Sequence, residues 1–226
     1  MTTTRTPPRI AVIDYGAGNL VSIEQALTTV GAHVTIARDG DGVRDVDAVI
    51  VPGVGAAAPA MDRLGRHGLV TPILDWIEAG RPFLGICLGL QLLFEGSDED
   101  GATTLGVLAG RTSRLEGAPT LPHIGWNQVV RTRSHPLFDG IDDDADFYFV
   151  HSFAGVPARG ASDPVVLATT DHGRPFVSAI ARGSLAGVQF HPERSGTDGL
   201  RLLANFVDLV RVGTPAPATA SRTVVV

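Results

Sequence analysis

With 226 residues, 44% of them hydrophobic, and a net charge of −6, the chain can bury a sizeable core, as one large α/β domain or two small ones; it has no basic block to suggest nucleic acid or an anionic membrane. All 18 basic residues are arginine, which removes Schiff-base chemistry, a Walker-A phosphate loop and a lysine general base together. The single cysteine excludes an internal disulfide framework and a Cys-rich zinc site, and no run approaches the roughly 20 apolar residues of a membrane span, so a soluble protein of the reducing cytoplasm is expected.

Met1 to Arg9 lacks the apolar stretch of a signal peptide and is expected to be loose over residues 1–8. Arg9 to Asp14 reads as a β-branched strand, the Gly-rich turn Tyr15-Gly16-Ala17-Gly18-Asn19 follows, and Leu20 to Val30 has helical spacing before a stop at Gly31. A dinucleotide site at this turn is disfavoured, because the third glycine of the fingerprint is missing and His33 to Ala37 ends without a ribose-binding acid. Asp47 to Val51 is a further strand running into Pro52-Gly53-Val54-Gly55, where two glycines permit close backbone approach or a peptide flip. Ala58 to Arg66 and Val70 to Ala79 read as helices, and Pro82 to Ile86 as a strand covered on both faces, because its apolar run does not alternate.

Beyond a helix expected over Leu88 to Phe94 the pattern changes. Glu95 to Thr104 is an acidic loop, and short extended segments surround Leu121 to Asn127. Asp146 to Phe153, Val165 to Thr170, Phe176 to Ala181 and Leu185 to Phe190 then read as strands, the last two joined as a hairpin through Arg182-Gly183-Ser184. Gly199 to Val210 is an amphipathic helix, and Gly213 to Val226 a loose Pro/Ala/Thr-rich tail. The expected architecture is one α/β domain over residues 9–212. It is an open, mostly parallel sheet flanked by helices, with added antiparallel strands in the second half.

The only cysteine sits in Gly85-Ile86-Cys87-Leu88-Gly89, which has the form of a nucleophile elbow: two glycines let the chain turn sharply from strand to helix around a strained side chain. There the unpaired N–H groups and dipole of a helix N-terminus favour a thiolate, and the Leu88 N–H is placed to bind an oxyanion. A cysteine nucleophile needs a base, and of seven histidines His191 is best placed, at the end of a strand and held extended by Pro192. Extended geometry puts Glu193 on the same face, where a carboxylate orients the imidazole. His33, His67, His135 and His172 lie in polar or loop contexts and read as solvated. His123 and His151 stay open, and no spacing supports a metal site.

The elbow, extended to Gln91 and paired with His191-Pro192-Glu193, resembles the class I, triad-type glutamine amidotransferases. Within them, Asp14 to Asn19, Pro52 to Gly55, Pro122 to Asn127 and Tyr148 to Phe153 are similar to the glutaminase subunits of imidazole glycerol phosphate synthases. The resemblance implies that Cys87 attacks the side-chain amide of glutamine, that His191 moves protons and that Glu193 orients it. It implies an oxyanion hole from the N–H groups of Val54 and Leu88, and a glutamine site from Gln91, Glu99, Ser152 and the backbone of Gly55. It implies ammonia transfer to a (β/α)₈-barrel cyclase subunit in a heterodimer that makes imidazole glycerol phosphate and AICAR, with no cofactor, metal, nucleic acid or membrane. Asn19, Gly53, His123, Trp126, Asn127, Tyr148 and Arg194 are the expected interface or gating residues. Phe153 stands where tyrosine is expected, and Arg194 where lysine is common. The competing readings are another class I amidotransferase, a γ-glutamyl hydrolase, a non-catalytic regulatory partner of the same fold, and a flavodoxin-like electron carrier without its phosphate loop.

Overall fold

The computed structural model describes residues 6–213. Four early strands, β1 (Arg9–Ile13), β2 (His33–Ala37), β3 (Ala48–Val51) and β4 (Phe83–Ile86), alternate with helices α1 (Leu20–Thr29), α2 (Ala57–Arg66) and α3 (Val70–Glu78). A one-turn helix, α4 (Leu88–Gln91), follows β4. The second half contributes β5 (Gly110–Arg114), β6 (His123–Gln128), β7 (Val130–Arg131), β8 (Asp146–His151), β9 (Phe153–Pro157), β10 (Val166–Asp171), β11 (Pro175–Arg182), β12 (Leu185–Val188) and the closing helix α5 (Gly196–Val212).

The main sheet has the order β2-β1-β3-β4-β12-β11-β10-β7. It is parallel from β2 through β12 and antiparallel from β11 outward, as the expected mixed architecture requires. Strands β5 and β9, and β6 and β8, form separate two-stranded ribbons. The apolar runs of the early strands are explained by two cores. Ile10, Val12, Ile50 and Ile86 pack on one face with α1 and α5, whereas Ala11, Ile13, Val49 and Val51 pack on the other with α2 and α3. A strand buried on both faces has no polar side to alternate with.

Three expectations change. The helix after Cys87 ends at Gln91, with Leu92 and Leu93 continuing as turns whose side chains are buried. The single strand expected over 146–153 is two, β8 and β9, broken at Ser152, because β8 pairs with β6 while β9 pairs with β5. The expected loose ends fall mostly outside the described residues, and within them Pro8 is buried, its carbonyl accepting from the His33 N–H at 2.9 Å. Among the described residues no helix is long and apolar enough to cross a membrane.

Because β1, β3, β4 and β12 run parallel, their carboxyl ends lie along one edge of the sheet. That edge gathers Tyr15, the Pro52–Gly55 turn, Cys87 and the segment Gln189 to Glu193, the place where open α/β sheets form their sites.

Candidate active site

Cys87 is the only described non-glycine residue with positive φ, at 53°. Such a conformation costs about 1–3 kcal/mol and persists only where the surroundings enforce it. Here the enforcement is visible. The Cys87 N–H donates to the Val188 carbonyl at 2.8 Å, and its own carbonyl accepts from Leu90 and Gln91. The flanking glycines are required by contact rather than by conformation: a Cβ on Gly85 would lie 2.6 Å from the Gly89 carbonyl oxygen, and one on Gly89 1.8 Å from that of Val51. The elbow is therefore packed against β3 and the start of α4 with no room for side chains on either side of the nucleophile.

His191 and Glu193 meet, though not by the route expected. Pro192 to Arg194 form a 3₁₀ turn with His191 as its extended entry residue, since a proline at the first position of a turn supplies the needed φ. Within this turn Glu193 Oε1 accepts from His191 Nδ1 at 2.9 Å, with both side chains almost fully buried. Ser195 holds the segment in place, its Oγ donating to the His191 carbonyl at 2.6 Å and accepting from the Tyr148 N–H at 3.0 Å. Burial alone pulls the imidazole down and is the largest single influence. The hydrogen bonding and negative charge of Cys87 and Glu193 together outweigh it, raising His191 from 6.5 to about 10. His191 Nε2 has no aligned hydrogen-bond partner, so thiol and imidazole interact without full hydrogen-bond geometry; catalytic contacts commonly tighten only around substrate.

Cys87 opens into a cleft of about 180 Å³ lined also by Gly55, Gln91, Glu99, His151, Ser152 and Phe153. All four expected glutamine-site residues thus share one wall system with the nucleophile. Larger depressions of about 730 and 420 Å³ lie near Trp76 and near Phe176, but neither contains a nucleophile beside a base, and chemistry rather than volume selects the site. Burial and the neighbouring Asp100 raise the Glu99 carboxyl. The expected oxyanion hole is not assembled: the Leu88 N–H donates to the Gly53 carbonyl at 3.3 Å. Gly53 has no space for a side chain, since a Cβ there would lie 2.0 Å from the Tyr15 hydroxyl.

The sequence from residue 11 to 210 matches the family model for class I glutamine amidotransferases. The chain belongs to the class I glutamine amidotransferases. It is 49% identical over 203 residues to imidazole glycerol phosphate synthase subunit HisH of Moorella thermoacetica, covering 89% of this chain and 95% of that one. It is 47% identical over 215 residues to the protein of the same name from Synechococcus sp. (strain JA-2-3B'a(2-13)), covering 93% and 97%. Among solved structures, a glutamine amidotransferase superposes with TM-score 0.70 over 89% of this chain and 98% of that one. PurLQS from Thermotoga maritima superposes with TM-score 0.71 over 90% and 99%. Both are 20% identical to it and bear on the fold alone.

In this amidotransferase the expected interface residues divide. Trp126 is 55% exposed and Ile124 60% exposed on β6. Trp126 stands edge-on to Tyr148, whose ring face carries the Arg194 guanidinium at 4.2 Å. Asn19, Gly53, Val54 and Arg194 line a narrow recess together with His191 and Glu193. Asn19 has a structural task as well, its Oδ1 capping α1 at the Ser22 N–H. His123 is corrected as a surface contact, because it is buried, stacked on His172 at 4.0 Å and bonded through Nδ1 to His151 Nε2 at 3.1 Å. His172 and His135, expected to be solvated, are both half-buried, His172 in this stack and His135 with its Nδ1 accepting from the Leu137 N–H. Gln189 and Ser195 were not singled out from the sequence as site residues. A lone amide in the apolar run Leu185 to Phe190 was the available signal for Gln189, since a buried amide needs partners.

Proposed function

We propose that this chain hydrolyses glutamine to glutamate and ammonia and hands the ammonia to a separate (β/α)₈-barrel cyclase subunit. The two would work as a cytoplasmic heterodimer producing imidazole glycerol phosphate and AICAR in histidine biosynthesis, the enzyme for which its relatives are named. The observation that carries the reading is a buried His191 held by Glu193 and raised by Cys87, beside a cleft that also contains Gln91, Glu99 and Ser152.

In the first half-reaction the Cys87 sulfur attacks the side-chain carbonyl carbon of glutamine, the C–N bond breaks, and protonated His191 gives its proton to the departing nitrogen. A γ-glutamyl thioester and ammonia result. Water then attacks the thioester, His191 takes its proton, the C–S bond breaks and glutamate leaves. Glu193 stabilises the imidazolium in both steps. An isolated chain would waste glutamine, and the Gly53 carbonyl seated on the Leu88 N–H offers the restraint. Rotating the Gly53–Val54 peptide would remove that carbonyl and turn the Val54 N–H inward. One missing oxyanion donor lowers turnover by on the order of 10²–10³. Val54 is 47% exposed beside Asn19 and Arg194, so a partner seated on this rim would bear on the turn directly.

Cys87→Ala should abolish glutamine-dependent synthesis by the complex while sparing ammonia-dependent synthesis; equal loss with both nitrogen sources contradicts the assignment. Glutaminase turnover should be very slow in the isolated chain and rise by on the order of 10² or more in the complex with cyclase ligand. Full activity in the isolated chain would favour a free-standing γ-glutamyl hydrolase instead.

A further inference from the structure

Gln189 follows β12, two residues before the catalytic histidine, and is completely buried. The orientation of its amide can be deduced from its neighbours. The Phe153 carbonyl oxygen can only accept, so the end of the Gln91 side chain 2.7 Å from it is the nitrogen. That same nitrogen lies 3.1 Å from the Gln189 amide, which must present its oxygen there. The remaining end of Gln189 is therefore its nitrogen, and it faces the Cys87 sulfur at 3.6 Å. The backbone fixes the side chain's origin, since the Gln189 N–H donates to the Ser178 carbonyl at 2.9 Å.

The nucleophile thus has two polar neighbours of different kinds. His191 brings a mobile proton and a positive charge when protonated. Gln189 brings a neutral N–H that cannot be lost at any working pH and that points at the sulfur whether or not His191 carries its proton. A donor aimed at an anion strengthens as charge accumulates on the acceptor, and full burial of the Gln189 amide strengthens the bond further. The need recurs within one turnover: before attack, while the sulfur is a thiolate, and again when the thioester breaks and the sulfur regains its charge.

We propose that Gln189 is a catalytic residue of the glutaminase reaction, a fixed hydrogen-bond donor to the Cys87 sulfur that stabilises it as the attacking and leaving group. The proposal rests on the reading of Cys87 as nucleophile. The test uses the fact that Cys87 is the sole thiol of the chain, so alkylation by iodoacetamide followed across pH reports on this sulfur alone. Gln189→Met keeps length and removes the donor. The pH of half-maximal alkylation should move up by about one unit, with alkylation below it about tenfold slower, and glutamine turnover in the complex should fall in kcat more than in KM. A merely structural glutamine would alter stability or KM and leave the alkylation curve in place; a superimposable curve overturns the proposal. In the unsubstituted full chain, the side-chain amide resonance of Gln189 should shift with pH at the midpoint of the alkylation curve and stay fixed in Cys87→Ala. An amide resonance indifferent to Cys87 overturns the proposal even if the methionine variant does not fold. If the unsubstituted complex fails to hydrolyse glutamine, the underlying reading fails instead.

Discussion

His151 lines the Cys87 cleft and His191 the adjacent recess, and burial does not distinguish them: His191 is 5% exposed and His151 7%. Burial draws both imidazoles down, yet His191 is raised to about 10 and His151 falls to about 3. The difference lies in their neighbours. His191 faces a sulfur and a carboxylate, whereas His151 donates from Nδ1 to the Phe153 carbonyl and accepts at Nε2 from His123, with no anion in reach of either nitrogen. His123 in turn accepts from the Asn127 amide, so one neutral tautomer is specified along the whole row, and His123 is lowered to about 4 by burial and then by His172. At the same degree of burial, a negative partner makes one imidazole a proton carrier and a row of neutral ones makes the other a fixed strut.

The most damaging way to break this contrast is to take the charge from Glu193. Glu193→Gln still offers the His191 ring a hydrogen bond but stabilises imidazolium poorly, and kcat for glutamine should fall by on the order of 10²–10⁴ with KM little changed. Steady-state kinetics on the assembled enzyme reads this, and unchanged turnover removes Glu193 from the triad.

The contrast sharpens in the pH dependence of stability. Folded His151 takes its proton only near 3, unfolded histidine near 6.5. Between those values the unfolded chain binds more protons, so this contribution is present above 6.5 and is lost as pH falls, on the order of 2 kcal/mol by pH 5. His191 has the opposite sign, since its raised value stabilises fully below 6.5 and fades as pH climbs towards about 10. Urea midpoints measured from pH 5 to 9 should show both slopes. His151→Gln should flatten the acid side, and Glu193→Gln the alkaline side. A His151→Gln profile identical to wild type would show that the row of neutral rings does not resist protonation.

The smallest effect belongs to a third histidine, half-buried and outside the cleft. His135 accepts from the Leu137 N–H and caps a 3₁₀ turn. His135→Ala should lower stability by about 1 kcal/mol and leave glutamine turnover as it was. A clear loss of turnover would mean that this 3₁₀ turn communicates with the site.

What the sequence revealed of this site follows from how local each signal is. Cys87 between glycines, and His191 before Pro192, are read within five residues because sterics alone make them special. The Pro52–Gly55 turn was legible for the same reason. Gln189 was not, because its role depends on Gln91 and Phe153, far away in the chain. His172 was misjudged as solvated because its stacking partner His123 comes from another strand. The parallel core was readable from apolar runs, whereas the ribbon of β6 with β8 was only partly so. Along β6 the alternation is inverted, with Ile124 and Trp126 exposed and His123 buried, so its period assigns the wrong face to the core.

The Gly53 carbonyl on the Leu88 N–H has a consequence for the choice of covalent reagents. An alkylating agent that displaces a halide builds no negative oxygen, and for it the occupied N–H is irrelevant. A glutamine-like aldehyde adds to Cys87 by making a tetrahedral oxyanion, for which the Leu88 N–H is already occupied by the Gly53 carbonyl. The isolated chain should therefore discriminate between electrophiles by mechanism rather than by reactivity. The ratio of the two labelling rates becomes a gauge of how far the Gly53–Val54 peptide has turned, readable without turning over a single glutamine.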